Sequence, residues 1–250
     1  MSDAHPIGID FGGTGIKAAP VDLTTGEFVG ERERIDTPKP ATPDAVGDVM
    51  AQLCDRFPDS TGPVGVTVPG VVRRGVVHSA ANIDKSWIGT DADKVLTERL
   101  GRPVHVLNDA DAAGYAELRY GAAKDRDGLV ILTTLGTGIG SALLWDGVLV
   151  PNTELGHIEL DGHDAESRAS ASAREREDLS WSDWAKRLTA YYQALEKLFS
   201  PDLFVVGGGV SKKPEKFLPM IEIDTEIVVA KLANNGGIVG AAALSHLKDD

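Results

Sequence analysis

The chain has 250 residues, 42% of them apolar and 25% charged, with a formal net charge of −13 at pH 7. That length suits one large domain or two lobes, and the acidity argues against duplex nucleic acid or an anionic membrane as partner, since either needs a basic face. The single cysteine, Cys54, excludes an internal disulfide and a cysteine-cluster metal site and suits a reducing cytosol; no leading stretch resembles a signal peptide, and no run approaches the ~20 apolar residues needed to span a membrane.

In chain order, Ile7-Gly8-Ile9-Asp10 predicts a strand that ends on a carboxylate and passes through Gly12-Gly13-Thr14-Gly15 into a second strand closing at Val21-Asp22. Thr24-Thr25-Gly26 reads as a turn, Glu27 to Ile35 as a strand, and the proline-rich Thr37 to Pro43 as a loop. Asp44 is the expected cap of a helix with Val46, Val49, Met50 and Leu53 at helical spacing. Val64 to Val68 is a buried strand stopped by Pro69-Gly70, and Val104 to Leu107 is another. The latter delivers Asn108-Asp109 at its carboxyl end, where open α/β sheets place ligands, and Ala110 to Leu118 turns helical.

The opening phrase then repeats. Leu129 to Leu132 leads through Gly136-Thr137-Gly138-Ile139 into a run ending at Trp145-Asp146. Glu154-Leu155-Gly156-His157 reads as a loop, and Asp161 to Asp178 as helical. Ser180 to Asp183 is a capping-box pattern before a long helix with Trp184, Leu188, Tyr191, Leu195 and Leu198 on one face. Leu203 to Val206 is a buried strand running into Gly207-Gly208-Gly209, and a last helix is expected over Ile238 to Leu247. Strands alternating with helices, given twice, predict a two-lobed α/β protein with a cleft between the lobes.

Each motif carries a chemical and a plain reading. A glycine turn brings backbone N–H groups close to an anion, so two of them suggest phosphoryl transfer. In the first, Asp10 would hold Mg²⁺ through water, with Gly12, Gly13, Thr14 and Gly15 on a terminal phosphate and Lys17 as counter-charge; the plain alternative is a hairpin with a surface lysine. No Walker A lysine follows, and Asp10-Phe11-Gly12 resembles the protein-kinase metal triplet without its companions. In the second turn, Ser141 stands where a dinucleotide fingerprint needs glycine. Gly208 and Gly209 are either a tight connection or a platform under a phosphate tail. Asp109 suits a base that orients an acceptor hydroxyl, or an ordinary helix cap. Glu154 and His157 offer planar groups that read sugars, or a structural histidine.

Five segments occur in one order: Asp10 to Lys17, Leu107 to Gly114, Leu135 to Gly140, Glu154 to His157, and Val205 to Gly209. Together they resemble the ROK family of sugar kinases, from Ile7 to about Leu244. The resemblance implies an actin-like ATPase (ribonuclease H-like) fold with a duplicated βββαβα core. Residues 1–110 would form one lobe and 111–250 the other, the last helix packing back on the first. Within the family, Ile158 to Arg174 lacks the cysteines of the zinc loop that many members carry, so no zinc is expected. That loop, Ala80 to Trp87, and Gly114 to Glu117 with Tyr120-Gly121 are similar to the polyphosphate glucokinase branch.

The resemblance implies a cytoplasmic, homodimeric transferase of carbohydrate metabolism that phosphorylates glucose from polyphosphate or ATP with Mg²⁺. Asp109 would be the base, and Asn82, Asn108, Glu154, His157 and Glu166 would contact sugar. Gly12 to Gly15 and Thr137-Gly138 would embrace the transferring phosphate. Lys17, Lys85, Lys212, Lys213 and Lys216 are candidates for a polyphosphate track, and Trp181 and Tyr192 for either a dimer surface or the core. A strictly ATP-dependent hexose kinase, a sugar-sensing protein and an actin-like assembly ATPase remain the alternatives. The sensing reading would call for a helix-turn-helix ahead of Ile7, and the assembly reading would not need Glu154 and His157.

Overall fold

A computed structural model describes residues 5–249. The chain divides into two compact units: one runs to Ala116 and resumes at Asn235, and the other spans Glu117–Asn234. The division falls inside a helix whose first turns lie against the last helix, Ala112 and Ala113 meeting Gly240 and Gly236.

In the first unit, β1 (Ile7–Phe11) turns into β2 (Gly15–Asp22), followed by β3 (Glu27–Phe28) and β4 (Glu33–Asp36). The continuous strand expected from Glu27 to Ile35 is therefore two short ones, broken at Gly30, whose φ is +89°. Helix α1 (Pro43–Cys54) is capped by Thr42, whose hydroxyl accepts from the Ala45 N–H, with Pro43 opening the first turn in place of an Asp44 cap. Then come β5 (Val64–Val68), the small hairpin β6 (Val72–Arg73) and β7 (Val76–Val77), α2 (Ala92–Leu100), β8 (Val104–Asn108) and α3 (Asp109–Tyr120).

The sheet runs β3-β2-β1-β5-β8, with β4 on β2. One face buries Ile7, Ile9, Phe11, Val64, Val66 and Val68 against Met50, Leu53, Leu96 and Trp87. The other face is stripped to glycine at Gly8 and Gly65, where a Cβ would overlap the carbonyls of Ile238 and Ala241. Those carbonyls belong to the last helix, α7 (Gly236–Asp249).

The second unit repeats the plan. β9 (Leu129–Leu135), β10 (Ile139–Trp145) and β11 (Val148–Val150) form a meander; β12 (Glu159–Leu160) and β13 (His163–Asp164) form a separate hairpin. Helices α4 (Ala165–Ala169), α5 (Ala171–Arg176) and α6 (Trp181–Phe199) follow, then β14 (Leu203–Gly207) and β15 (Glu226–Val229). The sheet order β11-β10-β9-β14-β15 mirrors that of the first unit.

The stretch from Asp161 to Asp178 is thus a hairpin and two short helices. Ser170 ends α4 and caps α5 by accepting the Ala173 N–H. Tyr192 is buried in the core with Trp184, Leu188 and Phe204, and bonds the Thr133 hydroxyl at 2.7 Å. No described helix is long and apolar enough to cross a membrane.

Candidate active site

The register of the first sheet lines up four side chains. Thr67 on β5 faces Asp10 on β1, Asp10 faces Lys17 on β2, and Lys17 faces Arg34 on β4. Directly opposed residues share a face. Lys17 Nζ lies 3.0 Å from Asp10 Oδ2, and the Thr67 hydroxyl donates to Oδ1 at 3.4 Å. The turn between β1 and β2 is closed by the Gly12 N–H on the Gly15 carbonyl at 3.2 Å, and the Thr37 hydroxyl holds the Gly12 carbonyl at 2.6 Å.

Arg34 occupies the side-chain space of Gly15: a Cβ there would stand 2.6 Å from Nη2, which donates to the Thr14 carbonyl at 3.0 Å, so a side chain would have to displace the guanidinium. The backbone of Asn82, at φ 61°, reaches the same turn, its carbonyl oxygen 3.3 Å from a Cβ placed on Gly13.

Asn108 ends β8 and caps α3. Its Oδ1 accepts the N–H of Ala110 at 2.8 Å and of Asp111 at 3.0 Å, while Nδ2 donates to the Gly70 carbonyl at 3.1 Å. The cap expected of Asp109 therefore belongs largely to its neighbour. Asp109 itself is exposed at the helix start, with Oδ1 accepting the Ala110 N–H at 2.8 Å. A carboxylate is favoured there by the helix dipole.

In the second unit, the turn from β9 to β10 is closed by the Gly136 N–H on the Gly138 carbonyl at 3.0 Å. Glu166, from α4, reaches over it: Oε2 accepts the Ile139 N–H at 2.9 Å, and a Cβ on Gly138 would overlap that carboxylate. On the carbonyl side of Ile139, Gly156 packs so closely that a Cβ would overlap the oxygen. Gly208, at φ 84°, lies against the backbone of Leu135, just before the same turn.

The Glu154-to-His157 turn is pinned by Ser141, whose buried hydroxyl donates to the Thr153 carbonyl at 2.6 Å and accepts the Leu155 N–H at 2.9 Å. His157 Nδ1 lies 2.8 Å from Asp164 Oδ2 and 4.0 Å from Glu166 Oε1, and Nε2 lies 4.0 Å from Glu154 Oε2.

The charges follow from that crowding. The Asp164 hydrogen bond, aided by the neighbouring carboxylates, holds the His157 pKa above its usual value. Burial, and then the charge of Glu166, hold the Glu154 carboxyl above the usual range. His157, Asp164 and Glu166 each bring one donor atom within 4.8 Å of the others, a spacing a cation would accept, although the His157 and Asp164 atoms are already joined by their own bond.

A profile of the ROK family matches residues 6–174. The chain belongs to the ROK family. Polyphosphate glucokinase of Mycobacterium tuberculosis (strain ATCC 25618 / H37Rv) is 52% identical over 242 residues, which cover 96% of this chain and 91% of that one. Among solved ROK-like structures, the inorganic polyphosphate/ATP-glucomannokinase from Arthrobacter sp. strain KM is 56% identical, with a TM-score of 0.94 over 98% of this chain and 100% of the other. A ROK family glucokinase from Streptomyces griseus, in complex with glucose and AMPPNP, is 26% identical, with a TM-score of 0.83 over 97% and 99% of the two chains.

Within the first unit, the structure gathers Asp10, Gly12 to Gly15, Lys17 and Asn82 at one turn and sets Asn108 and Asp109 together at the start of α3. Within the second, Glu154, His157, Glu166, Gly138 and Gly208 surround the other turn. Lys85, Lys212, Lys213 and Lys216 are exposed. Reading the sequence missed Arg34, Thr67, Ser141 and Asp164. Only Asp164 left a local trace, standing just after the Asp161-Gly162 turn that returns the chain toward His157.

Proposed function

We propose that this chain is a glucokinase that transfers the terminal phosphoryl group of inorganic polyphosphate, and of ATP, to the 6-hydroxyl of glucose. The single observation that carries the reading is identity above one half to relatives of that activity across nearly the whole chain, and both glycine turns have geometry suited to it.

In this reading Asp109 takes the proton from the 6-hydroxyl as it attacks phosphorus, a step that needs an exposed carboxylate held ionised. Glu154, His157, Asn82 and Asn108 orient the sugar, Asn108 through whatever its amide offers beyond the cap it makes. Glu166 holds the second turn through Ile139, so its share in sugar binding falls to Oε1. The N–H groups of Gly13 to Gly15 and of Thr137-Gly138 bind phosphate oxygens, Gly12 serving by closing its turn through the Gly15 carbonyl, with Gly208 and Gly209 supporting the donor. Mg²⁺ belongs to the proposal: Asp10, with Lys17 on one oxygen, suits a hold through water, and the ion would offset charge on the donor phosphates.

Initial rates with long-chain polyphosphate and with ATP, each at saturating glucose, test the assignment. Activity with ATP and none with polyphosphate would leave an ordinary ATP-dependent glucokinase. Mannose belongs in the same assay, because the Arthrobacter relative is called a glucomannokinase.

We further infer a homodimer through the second unit. Trp145 and Val148, paired across β10 and β11, are 55% and 64% exposed at the sheet edge beside Val150. Light scattering that gives a monomer at micromolar concentration would remove this inference.

A further inference from the structure

His157 carries its partner on a purpose-shaped piece of backbone. After Glu159 and Leu160 the chain reverses through Asp161 and Gly162, whose φ angles of 52° and 73° are both positive, the signature of a tight two-residue hairpin turn. The register then pairs Leu160 with His163 and Glu159 with Asp164. The Ala165 N–H on the Ile158 carbonyl at 2.9 Å closes the return, and the Ser167 hydroxyl holds the Asp164 carbonyl at 2.6 Å. The result is one contact: Asp164 Oδ2 stands 2.8 Å from His157 Nδ1.

We propose that Asp164 is the positioning residue for His157, accepting the Nδ1–H so that the ring plane is fixed and Nε2 is the nitrogen turned to a glucose hydroxyl. This deepens the reading of His157 as a sugar contact and rests on it. The bond made by one ring nitrogen sets the role of the other. With the proton kept on Nδ1, a neutral ring accepts at Nε2 from a sugar hydroxyl, and a protonated ring donates there. Glu166 and Glu154, both at 4.0 Å from the ring nitrogens, are beyond hydrogen-bond reach and cannot choose between the nitrogens in this way. As an exposed pair it adds little to stability, so orientation is the effect that such a contact delivers.

The test begins with the unaltered protein. Nitrogen-15 NMR of the histidine side chains, with His157 assigned by its loss in His157→Gln, reads which nitrogen holds the proton when the ring is neutral. The expected result is Nδ1–H in the wild type, transfer of that proton to Nε2 in Asp164→Ala, and Nδ1–H kept in Asp164→Asn, which retains an acceptor oxygen. In parallel, Asp164→Ala should raise the KM for glucose about tenfold, with the KM for the phosphoryl donor little changed, and Asp164→Asn should recover most of that loss.

A wild-type ring protonated on Nε2 overturns the proposal, as does an Nδ1 signal shifted by a stoichiometric bound metal. An Asp164→Ala protein with unchanged tautomer and glucose KM does the same. If Asp164 sets the tautomer but glucose leaves the Nε2 signal unmoved, the pairing stands and the sugar contact falls.

Discussion

Glu166 holds Ile139 by its backbone: Oε2 accepts the N–H at 2.9 Å, in the space a side chain on Gly138 would fill. Gly138→Ala should therefore push the carboxylate away and strip a half-buried N–H of its acceptor. A cost of about 1–3 kcal/mol is expected, measured by denaturant unfolding, with a larger fall in kcat than in glucose affinity. A variant as stable and active as the parent would mean the turn does not depend on that carboxylate.

Asp109→Asn should leave circular dichroism and the unfolding midpoint close to those of the parent, since Asn108 makes most of the helix cap. Turnover should fall about 10³-fold. Near-normal kcat would reject Asp109 as the base.

Gly65→Ala tests the seam beneath α7. Its Cβ would overlap the Ala241 carbonyl, a backbone atom that cannot swing aside. Overpacking of this kind costs about 1–3 kcal/mol or more. Hydrogen exchange should show the loss in β1, β5 and α7, with the second unit keeping its protection.

Glu117 is buried, and its carboxylate accepts three backbone N–H groups: Ala122 at 2.6 Å, Lys231 at 3.0 Å and Leu232 at 2.7 Å. Glu117→Gln replaces one acceptor by a donor that faces donors. About 2 kcal/mol of stability should be lost, with protease cutting near Lys231 as the sensitive readout. An unchanged cleavage rate would show that other contacts hold that loop.

His157 and Glu154 both have pKa values raised on folding, the first by the Asp164 hydrogen bond and the second by burial. A raised value means the folded state binds its proton more tightly. The His157 contribution is therefore complete below about pH 6.5, its unfolded value, and disappears as pH rises through the folded value. The small stability gap between wild type and Asp164→Ala should be widest near pH 6 and shrink as the pH rises through the folded value. A gap that widens with pH would contradict the pairing.

The parts legible in the sequence are those written locally. A strand, a glycine turn and a second strand, given twice, foretold the paired sheets, and Asn108-Asp109 at a strand end foretold the start of α3. What escaped depends on partners brought from afar. The space beside Gly15 is filled by the Arg34 guanidinium, on a strand known only once the register is known. Glu117 lies in a segment that resembles the family, yet its acceptor role needs a loop 115 residues away. Asp161 to Asp178 misled because its alanines favour helix, whereas the positive φ values at Asp161 and Gly162 impose a hairpin first. Tyr192 remained undecided between surface and core because only the depth of α6 against β9 and β14 buries it.

The seating of α7 has a consequence for the order in which the protein is made. On the ribosome, β1 and β5 emerge with Gly8 and Gly65 bare, well before the helix that covers them is synthesised. The second unit, continuous from Glu117 to Asn234, has all its strands available first. The nascent chain should therefore mature from the middle outward, and an arrested chain lacking Gly236 onward should present an open sheet face to chaperones.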